Sequence, residues 1–335
     1  MRYLISLIIL QLLWGCGGKK ESQGKSPATI GTIERLEPGI DQVLPEDAEI
    51  EILADGFEWI EGPLWIPEGY LIFSEIPLNK VYKWSEEKGV SEYLEPSGYT
   101  GATKRGGELG SNGLLLNKNG QLILCQHGDR RIARMNSTLD QPKSDFVSLV
   151  DVYEGMKLNS PNDAVFHSDG SIFFTDPPYG LEQGMEDYSK EISFQGVYRF
   201  SPEEGVKLVT DSLSRPNGIA LSPDESRLYV ANSDPKRAIW AAYDLDVDGN
   251  IVGGELFFDA TSRVGESKGL PDGLKVHSSG HLFATGPGGV LVFNSSGQHL
   301  GTINTGVATS NCAFDTQESY LYITADMYLL RVKLK

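Results

Sequence analysis

Cysteine is scarce in this chain of 335 residues: Cys16, Cys125 and Cys312 are the whole supply, too few and too scattered for a disulfide framework. Basic charge is also short. Lys and Arg number 29 against 46 Asp and Glu, and the formal net charge of −17 argues against nucleic acid or anionic membrane surfaces as partners. No window shows the 3.6-residue apolar periodicity of an amphipathic helix, which points to an all-β chain. The long apolar run is confined to residues 3–14, too short to cross a bilayer as a helix. What remains is an ordinary globular composition, 22% charged and 40% hydrophobic, with 38 glycines spread through many tight turns.

Against that background one short pattern recurs six times. A polar residue opens a short apolar strand, a tight turn comes next, and a second strand comes after it. The opening residues are Glu61, Asn112, Asn162, Asn217, Asp272 and Asn311, separated by 51, 50, 55, 55 and 39 residues. The turns fall at Gly69, Gly120, Gly170, Glu225, Gly280 and Ser319. A period of roughly 40–50 residues built from short strands marks a β-propeller, one repeat per blade. Third strands at residues 80–84, 131–135, 196–200, 239–243 and 289–293 come next, with weaker outer strands at 90–94, 146–150, 206–209 and 256–258. The expectation is a six-bladed β-propeller of four-stranded antiparallel blades over residues 48–335. Its sixth repeat ends at Lys335 without an outer strand. Residues 48–53, which precede the first repeat, supply that strand and close the ring.

Residues 1–15 read as a signal peptide, with Met1-Arg2 as its short positive start. Leu13-Trp14-Gly15-Cys16 resembles the lipobox of bacterial lipoproteins, which are cut before the cysteine and lipidated on it. This implies an exported lipoprotein of the cell envelope, membrane-anchored through Cys16 alone; a plain secretory signal is the other reading. Residues 16–47 then form a tether and lead-in, polar and flexible over 17–29. Cys125 and Cys312 sit at different points of their repeats, so they are not expected to meet, and they read as small buried hydrophobes.

Two insertions break the rhythm. Residues 96–110 join blades one and two, and residues 176–195 split blade three between its second and third strands. Up-and-down topology places both at the mouth where the opening residues lie, and long loops in a compact domain are commonly functional. Asn-Gly and Asp-Gly are strong turn signals. Here, however, a separate turn lies eight residues on, and Glu61 and Asn162 hold the same register without being such turn dipeptides. The position starts the innermost strand, where six blades converge. Glu61, Asn162, Asn217 and Asp272 offer four oxygen donors with two negative charges, a set suited to a hard divalent cation. With no His or Cys among them, a structural zinc site does not fit.

The chain resembles the gluconolactonases, related to regucalcin (senescence marker protein) and squid diisopropyl-fluorophosphatase, over residues 49–335. The residues that carry the resemblance are Glu61-Gly62-Pro63-Leu64-Trp65, Ser160-Pro161-Asn162-Asp163, Asp176-Pro177-Pro178-Tyr179-Gly180, Arg215-Pro216-Asn217-Gly218 and Leu270-Pro271-Asp272-Gly273. The resemblance implies one catalytic divalent cation, Ca²⁺ first with Mg²⁺, Mn²⁺ or Zn²⁺ as alternatives, held by Glu61, Asn162, Asn217 and Asp272. It implies hydrolysis of a small-molecule sugar lactone, the carbonyl polarised by the metal and attacked by water. Asp272 is the candidate base, with metal-activated water as the alternative. Asn112, His127 and Tyr179 are candidate substrate contacts; each also has a structural reading, as a ring, capping or packing residue. Nothing in the sequence points to a protein partner. A phosphotriesterase or other esterase on the same metal site, or a non-catalytic metal- or sugar-binding propeller, are the competing functions.

Overall fold

The computed structural model describes residues 27–335. The signal peptide, Cys16 and most of the tether lie outside the described residues. Six antiparallel sheets succeed one another around an axis, five of four strands and one of five, each running from an inner strand to an outer one. Blade one consists of Ile60–Ile66, Tyr70–Glu75, Lys80–Ser85 and Gly89–Leu94. The inner strands of blades two to six are Ser111–Leu116, Ala164–Phe166, Pro216–Leu221, Leu274–Val276 and Asn311–Phe314. The helical content of the described residues is three short 3₁₀ turns.

The second strands Tyr70–Glu75, Leu122–Gln126, Ile172–Asp176 and Leu282–Gly286 are buried along their whole length. Each is sandwiched between two neighbouring blades, so its alternate side chains enter two different cores. Ile72 packs with Leu114 and Leu124 of blade two, whereas Leu71 and Phe73 pack with Tyr322 and Leu329 of blade six. Phe173 and Phe174 divide in the same way between blades four and two. Six apolar clusters result, one in each gap between blades. Cys125 and Cys312 lie in two different clusters as free, fully buried thiols, and burial pushes both well up, Cys312 to about 12. They are packing residues.

Ring closure matches the sequence expectation with a small shift. Ile50–Asp55 pairs antiparallel with Tyr328–Lys333, Ile50 opposite Val332 and Glu51 opposite Arg331. Arg331 fastens the seam, donating from Nε to Glu51 at 2.8 Å and from Nη1 to Glu86 of blade one at 2.8 Å.

The lead-in differs from the expectation. Ile30 N–H donates to Ile50 O at 3.0 Å, and Thr32–Arg35 adds a fifth strand to blade five beside His299–Asn304. The 3₁₀ turn Pro38–Gln42 then sets Ile40, with Val43 and Leu44 just after it, into the core between blades five and six. A charged four-residue edge strand (Thr-Ile-Glu-Arg) carries too little apolar signal to be seen in sequence. In the sixth repeat the left-handed turn residue is Glu318 (φ +53°), one before the expected Ser319.

Insertions 96–110 and 176–195 meet at one mouth of the channel. Arg105 ties them, donating from Nη1 to Gly180 O at 2.8 Å and from Nη2 to Gly128 O at 2.5 Å. Gly106 N–H adds a bond to Glu182 Oε1 at 3.0 Å.

Candidate active site

In blades one, two and four the ladder slips register at the opening residue, between Glu61 and Leu64, Ser111 and Leu114, and Pro216 and Ile219. Such a slip re-aims a side chain and ends regular pairing. It also explains the glycine next in the chain. A Cβ on Gly62 would lie 2.0 Å from Asn112 O, and one on Gly218 would lie 2.2 Å from Asp272 O. These glycines therefore serve the close approach of consecutive blades around the axis, and no turn forms there. Hydroxyls complete the ring: Ser74 Oγ donates to Asn112 O at 2.8 Å, Thr175 Oγ1 to Asn217 O at 2.6 Å, and Ser310 Oγ to Ile60 O at 2.6 Å.

Glu61, Asn112, Asn162, Asn217 and Asp272 converge on one cavity of about 490 Å³. Glu61 is aimed by two donors to Oε2, Gly62 N–H at 2.9 Å and Asn311 Nδ2 at 3.2 Å. Asn311 thus positions Glu61. Asn217 donates from Nδ2 to Ser233 Oγ at 3.1 Å, which leaves Oδ1 for the cavity. Asp176 of the Asp-Pro-Pro-Tyr-Gly run accepts from Asn159 N–H at 2.7 Å and Ser160 N–H at 2.6 Å, while Ser160 Oγ accepts from Gly180 N–H at 2.8 Å. That buried clasp fixes the backbone leading to Asn162, and burial raises the Asp176 carboxyl to about 7.

The ring is electrostatically unfinished. Asn112 Oδ1 and Asp272 Oδ1 are shut off from solvent without a hydrogen-bond partner. Buried acceptors of this kind are costly and call for a donor or a cation. Burial raises the Glu61 carboxyl to about 8, and burial together with the Glu61 charge raises Asp272 well above the usual carboxylate range. Two acidic oxygens and amide oxygens around one cavity fit a hard divalent cation, with Glu61, Asn162, Asn217 and Asp272 as the residues that could hold it.

A pH dependence is expected for protein stripped of divalent ions. Glu61 binds its proton more tightly folded (about 8) than unfolded (about 4.5). Its stabilising contribution is then full below about pH 4.5 and is lost as pH rises through 8. Melting temperatures in chelator should fall across that window, and the fall should be smaller for Glu61→Gln. A profile that is flat or rises in both proteins would contradict it.

Tyr179 lines the cavity as expected from sequence, its phenol pushed up by burial and by the nearby Asp272 charge. His127 does not: it is fully buried behind the wall, Nδ1 2.9 Å from Glu108 Oε2, and Glu108 takes the place at the cavity. Trp59, Arg215 and Leu270 also line it. All three stand two residues before an opening residue, and in extended chain positions i and i−2 share a face. That register was readable. Glu108, the one carboxylate of insertion 96–110, was not singled out in the sequence, although its place in that loop was the available signal.

Residues 59–326 match the model of the SMP-30/Gluconolactonase/LRE-like region family. The chain belongs to this family. A gluconolactonase of Zymomonas mobilis is 39% identical over 92% of this chain and 87% of its own length. The solved gluconolactonase of Xanthomonas campestris superposes with a TM-score of 0.78 at 32% identity, covering 92% of this chain and 96% of that one. Regucalcin of Agrobacterium tumefaciens, a calcium-binding protein, superposes with a TM-score of 0.63 over 85% of this chain and 94% of its own. At 17% identity that likeness is one of fold alone.

Proposed function

We propose that this family member hydrolyses a sugar lactone at the ring of Glu61, Asn112, Asn162, Asn217 and Asp272. The observation that carries the reading is the pair of solvent-sealed, unpartnered oxygens, Asn112 Oδ1 and Asp272 Oδ1, on residues lining one cavity in a chain similar to gluconolactonases. A divalent cation, Ca²⁺ by its preference for oxygen donors, would be held by Glu61, Asn162, Asn217 and Asp272, and when bound it supplies polarisation of the lactone carbonyl. The chain's own groups do the rest. Asp272 takes a proton from the attacking water. Asn112, at the cavity wall, is placed to meet a substrate hydroxyl. Trp59 and Tyr179 offer ring surfaces with a polar edge, and the mixture of aromatic and polar walls suits a polyhydroxylated ring.

The test is a substrate panel with and without chelator: an aldonolactone, a simple aryl ester and a phosphotriester. The aldonolactone should be turned over best, its rate should collapse in chelator, and Ca²⁺ should restore it. Preference for the phosphotriester, or a lactone rate indifferent to chelator, would overturn the reading.

A further inference from the structure

One residue past each opening position the inner strand carries glycine in four blades: Gly62, Gly113, Gly218 and Gly273. The exceptions are Asp163 in blade three and Cys312 in blade six. Glycine leaves space there, and one carboxylate enters it. Its counterpart comes from blade five, three residues past Asp272: Lys275 Nζ lies 3.7 Å from Asp163 Oδ2, too far for a hydrogen bond but within ion-pair range. Resting on the reading of the ring as a divalent-cation site, we propose that Asp163 and Lys275 form a counter-charge pair that sets how tightly the ring holds its cation.

Asp163 is poorly provided for on its own. The residue is 4% exposed; Oδ1 accepts from Ala164 N–H at 2.9 Å, while Oδ2 is sealed from solvent with no hydrogen-bond partner. A buried carboxylate in that condition requires a cation nearby. It is also fixed in place: a Cβ on Gly113 would lie 2.8 Å from Asp163 Oδ1, so the carboxylate is pressed against the strand that carries Asn112. After burial itself, the Asp163 charge is among the causes that oppose ionisation of Glu61 and Asp272. An uncompensated Asp163 therefore adds a third negative charge to a ring that already has two.

Lys275 supplies the compensation and reaches three blades at once. Nζ donates to Leu274 O at 3.0 Å in blade five and to Asn311 Oδ1 at 3.4 Å in blade six, and it pairs with Asp163 in blade three. Asn311 Nδ2 in turn donates to Glu61 Oε2 at 3.2 Å, so a single amide separates the ammonium from a residue that could hold the cation. That amide has no room to swing away. A Cβ on Gly273 would lie 1.9 Å from Asn311 Cγ, and Cys312 N–H donates to Oδ1 at 2.9 Å. The two charges are thus fixed at short range from the ring, yet neither side chain lines the cavity.

What the pair contributes is charge, without contact to cation or substrate. With the Lys275 charge gone, Asp163 is unbalanced and draws the cation in. With the Asp163 charge gone, the ammonium is unbalanced and repels it. A pair that served only as a brace between blades would weaken the site whichever member was lost.

The opposite signs are the test, read as Ca²⁺ dissociation constants by isothermal titration calorimetry. Lys275→Met keeps the aliphatic stem and should tighten Ca²⁺ binding by about 10–100-fold, the order expected when a unit charge is removed from near a divalent ion in a partly screened site. Asp163→Asn keeps the shape and the oxygen that Ala164 N–H needs, and should weaken binding by a similar factor. The double variant should return to within about threefold of wild type, because neither charge remains. Melting curves in chelator establish folding. Should Lys275→Met fail to fold, Lys275→Gln replaces it, and the sign of the Asp163→Asn shift stands as an independent test. Weaker binding in both single variants, no change in either, or a double variant no better than the weaker single would overturn the proposal while leaving the ring as a cation site. A wild-type protein that takes up no Ca²⁺, Mg²⁺ or Mn²⁺ would overturn the cation reading, and the proposal with it.

Discussion

Asp272→Asn is expected to lower aldonolactone turnover by about 10²–10⁴ at saturating cation, the usual worth of a positioned acid–base group. Asn keeps an oxygen where Asp272 Oδ1 stands unpartnered, so the ring retains a donor there. What it loses is one negative charge and the proton acceptor. Burial and the Glu61 charge oppose ionisation of Asp272 in the metal-free ring, so under the proposed function a bound cation would be needed to hold the carboxylate in its basic form. Cation affinity should fall modestly with the lost charge. Asn217→Ala makes the contrasting case: it removes a neutral oxygen and the Nδ2 bond to Ser233 but no proton acceptor. Its defect should be mainly one of cation retention, with activity partly regained in excess Ca²⁺. Rates measured across a cation titration separate the two. An Asp272→Asn protein that regains near wild-type rate once cation saturates would reduce Asp272 to a ligand.

The repeat was legible because each blade reuses one solution. An inner strand must start with a residue able to face the axis, and a second strand buried on both faces must be continuously apolar, so both recur in register. That Glu61, Asn162, Asn217 and Asp272 share one cavity could be read for the same reason. Asn-Gly carried a false turn signal, since Gly113 and Gly218 answer to a neighbouring blade's carbonyl that no local window contains. His127 was misplaced by one layer. Its loop does face the mouth, but whether the ring or its partner reaches the cavity is decided by insertion 96–110 folding across it. The strand Thr32–Arg35 was missed because its pairing partner lies far along the chain, on the outer edge of blade five.

That docked N-terminal segment permits a graded test of ring closure. Removing everything before Pro45 strips the fifth strand of blade five and the buried side chains Ile40, Val43 and Leu44. Each such side chain is worth roughly 1.5–3 kcal/mol, so the melting temperature should drop markedly, yet the ring stays closed through Ile50–Asp55. Extending the cut past Asp55 is a different kind of loss. Tyr328–Lys333 becomes an open edge, and its backbone groups lose their partners. Arg331 loses Glu51, and Ile50 leaves the core between blades five and six while Leu53 and Ala54 leave that between six and one. Clusters on both sides of blade six are damaged at once, against a total stability of about 5–15 kcal/mol for an ordinary domain. The shorter truncation should therefore melt cooperatively at a lower temperature, and the longer one should show no cooperative transition and no cation-dependent stabilisation. Thermal unfolding followed by near-ultraviolet circular dichroism distinguishes them. A longer truncation that still melts cooperatively within a few degrees of the shorter would show that blade six holds with three strands and that the seam does not govern the fold.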